Sequence, residues 1–323
     1  MNPKSKIPNK CRFEHSKFEF ILSFVLGILT FVFLSGCQQK PLYKDTQLMM
    51  GTFIQVISPD KNASQIAFGE IRRIEGLLSK YIPESEVSKL NQGGSLKVSP
   101  EVFFILKKSK EFFQTTGGVF DITAASLVDL WGFTNKKYYL PSEKEIQETL
   151  KLTGSDKIIL RNDDNVVKFT VNHLKIDLGA IAKGFALDCA AEKLKQSGIE
   201  DCLINAGGQV LCLGTKFGRP WKVAIKDPRS DKIIQVLQLK NQSASTSGDY
   251  EQYFTKGNKR YSHIFNPKTG YPAESGLISV TVVAPDGLTA DALSTSIFVL
   301  GKENGMELLK KFSGTKVYLV EKK

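Results

Sequence analysis

The chain has 323 residues, 41% of them apolar, enough to bury a sizeable core as one large domain or two interlocked ones. Lys and Arg number 44 against 33 Asp and Glu, and the net charge of +11 favours an anionic ligand or a membrane surface. No Lys/Arg cluster is interleaved with aromatics, which excludes nucleic acid as a partner, and there is no solenoid-period repeat, low-complexity tract or Pro-rich linker.

A basic stretch with Lys4, Lys6, Lys10, Arg12 and Lys17 precedes a charge-free run over residues 20–34. That run has the length of a signal-peptide core and falls short of the roughly 20 residues a membrane span needs. It ends in Leu34-Ser35-Gly36-Cys37, small residues before a Cys, which resembles the lipobox of bacterial lipoproteins. The resemblance implies that residues 1–36 are a signal peptide and that Cys37 is acylated as the first residue of the mature chain. Two or three acyl chains make a lasting anchor. An uncleaved anchor helix is the alternative; in both cases the body is exported and tethered to a membrane, facing the periplasm or the cell exterior. Residues 37–45 then read as a polar tether and 46–323 as the folded part. Cys189, Cys202 and Cys212 sit in apolar stretches without metal-ligand spacing, so they read as small buried hydrophobes.

Along the folded part, residues 48–57 read as a strand, with Gly51 a break where something approaches the backbone. Residues 64–80 are helical, Ile66, Ile71, Ile74, Leu77 and Leu78 recurring on one face. Residues 81–92 read as a polar loop. Ser99 caps a second helix with Pro100 at its first position, and a third apolar helix leads through Trp131-Gly132-Phe133. Ser142 and Glu145 have the spacing of a capping box. Residues 157–160 and 166–171 make a hairpin around Asn162-Asp163-Asp164. Residues 174–177 read as a strand feeding Gly179 and a helix to Gln196, and residues 202–213 as a strand interrupted by Gly207-Gly208. Strands at 221–225 and 233–239 follow. Two aromatic runs, Tyr250 to Phe254 and Tyr261 to Phe265, form a hairpin with Gly257-Asn258 at its bend. A strand over 277–283, helices over 289–300 and 301–312, and a strand over 316–321 close the chain. Strands and helices that mix without strict alternation indicate a mixed α/β (α+β) architecture with no clean internal boundary.

Four constellations could carry chemistry. In Lys175-Ile176-Asp177-Leu178-Gly179-Ala180-Ile181-Ala182-Lys183-Gly184 a strand ends at a helix start, whose free N–H groups and dipole favour phosphate, with Lys183 adding charge. Asp177 could bond a ligand hydroxyl or ring N–H; the segment equally fits an ordinary cap beside a solvated Lys. Asn205-Ala206-Gly207-Gly208 permits close approach of a planar or phosphate-bearing ligand, and equally a bulge. Asp291 and Thr295 lie four apart on one face of an apolar helix. A carboxylate and a hydroxyl there suit a hard cation such as Mg2+, although Asp291 also fits a plain N-terminal helix charge. His263, followed by Asn266-Pro267, ends the aromatic hairpin and reads either as a packed residue or as a base.

The order of these segments is more specific than any one of them. Met50-Gly51-Thr52, Gly118-Val119-Phe120-Asp121, the Asp177 to Lys183 segment, Asn205-Ala206-Gly207-Gly208, Ser247-Gly248-Asp249-Tyr250-Glu251, Tyr261-Ser262-His263-Ile264-Phe265-Asn266-Pro267 and Asp291-Ala292-Leu293-Ser294-Thr295 together resemble the ApbE family of flavin transferases. The match covers nearly all of residues 46–320, and the family's members are commonly lipoproteins. The resemblance implies a T-fold-like architecture of mixed sheets flanked by helices. It also implies an FAD:protein FMN transferase that splits FAD with Mg2+, passes FMN to a Thr or Ser hydroxyl of a target flavoprotein and releases AMP. The acceptor is expected to be a membrane redox subunit. Carried over by position, the flavin-nucleotide contacts fall on Met50, Val119, Phe120, Asp121, Asp177, Lys183 and Ile264. The metal falls on Asp291, Thr295 and the Ala180 carbonyl, and the general base on His263. Gln209 departs from the pattern, which more often has an acidic residue or Asn there. The other readings are a Mg2+-dependent FAD pyrophosphatase giving FMN and AMP, and a flavin-binding lipoprotein without turnover. A pure binder needs neither a metal nor a base, so Asp291, Thr295 and His263 together argue against the last.

Overall fold

Seven antiparallel strands, adjacent in space in the order they follow in the chain, form the central sheet: β1 Tyr43–Met49, β2 Thr52–Ser58, β3 Cys202–Ala206, β4 Gln209–Leu213, β5 Gln242–Gly248, β6 Leu277–Ala284 and β7 Lys316–Glu321. The computed structural model describes residues 41–230 and 232–322. The expected signal peptide, Cys37 and the first part of the expected tether therefore lie outside the described residues. The chain from Leu42 onward forms one unit. Tyr43, Lys44 and Asp45, expected in the tether, instead open β1.

The order follows from tight turns that the sequence writes plainly. Met50 and Gly51 have φ of 50° and 71°, and Gly207 and Gly208 have φ of 54° and 97°. Positive φ at both central residues is what a two-residue hairpin needs to match strand twist. Residues 48–57 are thus the end of one strand, a turn and a second strand, rather than one broken strand. Residues 202–213 are likewise a hairpin, with Ala206 opposite Gln209. A Cβ on Gly207 would lie 2.1 Å from Thr52 Oγ1, so packing as well as dihedral angle demands glycine there. Both turns lie at the same end of the sheet, because Ile54 pairs with Ala206. The chain enters β1 at the opposite end.

Alternation along the strands divides the sheet into two faces. Ile54, Val56, Ile204 and Ala206 pack with helix α1 (Ala63–Leu78) and helix α3 (Ala182–Gln196). Helix α2 (Pro100–Thr115) begins at Ser99, whose hydroxyl accepts from Val102 N–H at 3.4 Å as the Ser-Pro signal predicts. Helix α4 (Gly287–Leu300) packs against α3, β5 and β6. On the other face Val210, Ala244 and Val283 meet the hairpin Trp221–Lys226/Ile233–Leu239. The capping box forms as expected, Ser142 N–H donating to Glu145 Oε2 at 2.8 Å.

Two further expectations fail for instructive reasons. Glu86–Gly93, expected as loop, is a helix capped by Ser85, whose hydroxyl accepts from Ser88 N–H at 2.9 Å; its fully buried Val87 and Leu90 pay for its polar surface. Residues 174–177 run extended but join no strand. Instead the Asn91 side chain bonds both backbone groups of Ile176, at 2.8 and 2.9 Å, and Asp177 N–H donates to the Ile122 carbonyl at 2.8 Å. A side-chain amide here takes the place of a neighbouring strand.

Helices α3 and α4 touch backbone to backbone. A Cβ on Gly184 would meet the Gly287 carbonyl oxygen at 2.1 Å, and one on Gly287 would meet the Gly184 oxygen at 2.5 Å. Gly184→Ala should therefore push the helices apart and cost about 1–3 kcal/mol, the usual range for overpacking. Urea unfolding of the variant measures it, and an unchanged midpoint would mean the contact carries no stability.

Candidate active site

The helix crossing delivers Asp291 to the start of α3. Asp291 is 4% exposed; its Oδ2 accepts from Gly184 N–H at 3.0 Å and its Oδ1 from Ser245 Oγ at 3.2 Å. The carboxylate therefore does not serve the N-terminus of its own helix. It sits on that of α3, occupying a first-turn N–H that the sequence reading had left open for phosphate. Both partners are neutral, and among the described residues no Lys or Arg forms an ion pair with it. A buried carboxylate without a cation is costly.

A string of hydroxyls leads away from it. Ser245 Oγ lies 3.3 Å from Ser294 Oγ, Ser294 Oγ lies 2.9 Å from Ser247 Oγ, and Ser247 Oγ lies 3.1 Å from Thr295 Oγ1. Asp291 and Thr295 are thus joined through β5 as well as along α4. The sequence reading assigned no site role to Ser245, Ser247 or Ser294. Their signal was the alternation Ser243, Ser245, Ser247, which turns one face of β5 towards α4. Buried Gln209 donates to Ser243 Oγ at 2.9 Å and to the Gly287 carbonyl at 3.3 Å, so the residue that departs from the family pattern ties β4 to the start of α4.

Lys183, in the first turn of α3, acts on two groups. Its charge opposes the upward push that burial and Asp291 give the Glu251 carboxyl, and it adds to the downward push on His263. Glu251 hangs over the second hairpin turn, its Oε1 3.4 Å from where a Gly208 Cβ would be. Asp177, expected to face a ligand, is engaged by Lys80 at 2.9 Å and by Gly179 N–H at 2.8 Å. Lys80, with a side chain only 9% exposed, had no sequence signal, since it follows the last turn of an ordinary amphipathic helix.

His263 stands where expected, after the hairpin Tyr253–Lys256/Lys259–Ser262. Its backbone N–H donates to the Gln252 carbonyl at 3.0 Å, and Nδ1 lies 3.1 Å from the same oxygen. A carbonyl only accepts, so Nδ1 carries the proton and Nε2 is left as the basic nitrogen. Burial, assisted by Lys183, lowers the imidazole pKa to about 4, against the Gln252 hydrogen bond and the Asp177 charge. The hairpin is held from behind by aromatic contacts: Phe254 stacks on Tyr261 at 5.0 Å and on Tyr138 at 4.9 Å, and Trp131 Nε1 donates to the Gly270 carbonyl at 3.0 Å. Asp249, bound by Arg229 at 2.6 Å and facing Arg260 at 3.4 Å, fastens the loop that carries Gln252.

The remaining predicted contacts are placed differently. Val119 and Phe120 have buried side chains in the core, Phe120 against Phe112. Asp121 spends Oδ1 on Thr123 N–H, Thr123 Oγ1 and Ser155 Oγ, at 2.9, 2.7 and 2.6 Å. Ile264 is buried, and Met50 donates its N–H to Glu75 Oε1 at 2.7 Å. Ala180 lies in the turn just before α3. The thiols of Cys189, Cys202 and Cys212 are pushed up to about 12 by burial, in keeping with packing roles. A cavity of about 670 Å3 among Phe104, Phe185, Asp188 and Phe312 is lined by Cys189 and Cys212 but by none of Asp177, Lys183, His263, Asp291 and Thr295.

The His263 shift has a consequence for stability. Between pH 6.5 and about 4 the unfolded chain takes up a proton that the folded ring refuses. The fold should therefore lose stability as the pH falls through that window, and His263→Asn should flatten the slope. Unfolding free energies of both proteins across the window check this; parallel curves would contradict the burial of the ring.

The comparisons with known proteins agree with one another. The sequence profile described as ApbE family matches residues 50–319. A Haemophilus influenzae protein named FAD:protein FMN transferase is 32% identical over 328 residues, covering 93% of this chain and 92% of its own. The crystal structure of an ApbE protein from Thermotoga maritima gives a TM-score of 0.81 at 36% identity, over 87% of this chain and 94% of that one. The flavin transferase ApbE from Vibrio cholerae gives 0.77 at 28% identity, over 88% and 95%.

Proposed function

The chain belongs to the ApbE family, and on that premise we propose that it is an enzyme that transfers FMN from FAD to a Thr or Ser hydroxyl of an acceptor flavoprotein, releasing AMP. The observation that carries the reading is geometric: the Gln252 carbonyl, 3.1 Å from Nδ1, leaves His263 Nε2 as the basic nitrogen, and the buried Asp291, which forms no ion pair among the described residues, is held at the start of the helix that carries Lys183. In the proposed reaction His263 Nε2 takes the proton of the acceptor hydroxyl as its oxygen attacks the FMN phosphorus. The bond from that phosphorus to the bridging oxygen breaks, and AMP leaves. Lys183, in the first turn of α3, would attract the pyrophosphate. An incoming phosphate would also raise the His263 pKa towards the working range, because an anion favours the imidazolium.

The donor set at Asp291 fits Mg2+. The Asp291 carboxylate and the Thr295 hydroxyl, with the Ala180 carbonyl from the turn before α3, would supply oxygen ligands, and the carboxylate forms no ion pair among the described residues. Mg2+ held there would neutralise charge on the phosphates. Ser245 and Ser247 would then orient Asp291 and Thr295, the outer hydrogen bonds that ligands of a metal usually need.

The exported, lipid-anchored location through Cys37 remains part of the proposal, supported by the basic stretch, the charge-free run and Leu34-Ser35-Gly36-Cys37. It suits an acceptor that is a membrane redox subunit. Among the described residues no helix is long and apolar enough to cross a membrane.

In-gel flavin fluorescence of a coexpressed acceptor tests the reading. The wild type should label it, Asp291→Ala should abolish the label, and His263→Ala should retain FAD binding while transfer falls by about 10²-fold or more. AMP release from FAD without a label would show a pyrophosphatase, and full transfer in chelator would remove the metal from the scheme.

A further inference from the structure

A transferase with a protein substrate needs a surface for the polypeptide, and nothing above supplies one. The face of the sheet away from α1, α3 and α4 carries a groove of about 480 Å3 between the strands and the hairpin Trp221–Lys226/Ile233–Leu239. Its volume is within the range of binding clefts, roughly 300–1,000 Å3. Its floor mixes polar and apolar groups: Gln55 pairs across strands with Asn205, and Thr246 Oγ1 lies 2.8 Å from Thr281 Oγ1, with Val210 and Ala244 between the two pairs. The Asn205 side-chain amide has no hydrogen-bond partner among the described residues. These two amides and two hydroxyls offer both donors and acceptors, as main-chain groups of a bound polypeptide require.

Three features mark which end of the groove is used. Gly208 lines it, and the same glycine lies under the Glu251 carboxylate, so the groove opens onto the site. Tyr250 is a wall of the groove and the neighbour of Glu251. Phe53 points to the same face as Gln55, two residues on, and pairs with Leu48 on β1. These apolar side chains are 71% and 69% exposed, a cross-strand pair lying open to solvent at the end of the sheet where the hairpin turns meet. The groove also has exposed Lys222 and Lys226 along its hairpin wall, with no ion pair among the described residues.

We propose that this groove and the Leu48/Phe53 pair dock the acceptor polypeptide, in extended form, so that its hydroxyl is presented at the Gly208 end. This rests on the FMN-transfer reading for the identity of the partner. The amides and hydroxyls of the floor take main-chain groups, the Leu48/Phe53 pair takes an apolar side chain next to the modified residue, and the lysines take a carboxylate further along. The nucleotide is left to the opposite face, where Lys183 and Asp291 lie.

The test uses the full exported protein and its acceptor, with two variants of exposed residues, the double Leu48→Asp/Phe53→Asp and the double Lys222→Glu/Lys226→Glu. Each should raise the KM for the acceptor at least tenfold while kcat and FAD affinity stay unchanged, and the lysine variant should also reverse the salt dependence of KM, since salt then screens a repulsion. Calorimetric binding of acceptor to FAD-loaded His263→Ala enzyme reads docking without turnover and should weaken in parallel. Acceptor binding and KM that ignore both variants would overturn the proposal. So would a joint loss of FAD affinity, which would make the groove a nucleotide site. If wild-type enzyme binds acceptor through the groove but never labels it, docking stands and the transfer reading falls.

Discussion

The close crossing of α3 and α4 is the contact on which the rest of the site depends. Only two glycines facing each other allow it, since either Cβ would overlap the opposing carbonyl. Once the backbones are that near, Asp291 on the second turn of one helix reaches the first-turn N–H of the other. The dipole of α3 offsets part of the cost of the buried charge, about 0.3–2 kcal/mol for a helix end. That does not cover the desolvation of a carboxylate. Asp291 is therefore held in place with its charge only partly compensated, which is a suitable state for a group that must receive a cation.

The charges around it are arranged so that no single one is fully satisfied. Lys183 shares its field between Glu251 and His263, and burial works against the charged form of both. Asp177, by contrast, is balanced by Lys80 and serves as a fixed wall. The imidazole stays neutral because the protein around this half-buried ring displaces solvent from it and Lys183 adds positive charge. Neutrality alone does not make it a base; the Gln252 carbonyl does that by claiming the Nδ1 proton. The loop bearing Gln252 is held by Asp249 with Arg229 and Arg260, pairs half-exposed enough to contribute only about 0–1 kcal/mol each. Their value lies in the position of one carbonyl.

Much of this was legible in the sequence, and the failures share a cause. Hairpin turns, caps and the aromatic hairpin rest on local rules, and His263, Asp291 and Thr295 stood out because polar groups broke an apolar or aromatic run. The two hairpins read as interrupted strands, at 48–57 and 202–213, involved Gly turns whose function is positive φ, a property that a glycine shares with breaks and bulges. The ties made by Lys80 and Asn91 were invisible because they join residues 97 and 85 positions apart in sequence, and no local pattern reports such a pairing. The role of Asp291 was half visible: its helix face was readable, but not that the helix end it serves belongs to another helix.

Strand β5 shows why one short segment can organise two kinds of recognition. Its odd positions, Ser245 and Ser247, face α4 and order Asp291 and Thr295. Its even positions, Ala244 and Thr246, face the groove on the other side of the sheet. A strand has a period of two, so a one-residue slip would exchange the two sets, turning hydroxyls away from the carboxylate and placing Ala244 beneath it. Register is thus under pressure from both faces at once. The pairing of Ser245 with Gln209 and the buried contacts of Gln209 with Ser243 and Gly287 fix it from the neighbouring strand and from the start of α4. An Asp at position 209 would lose the amide donor that reaches both of these acceptors, which gives the glutamine a physical reason to be there in a chain that otherwise keeps the family's order of residues.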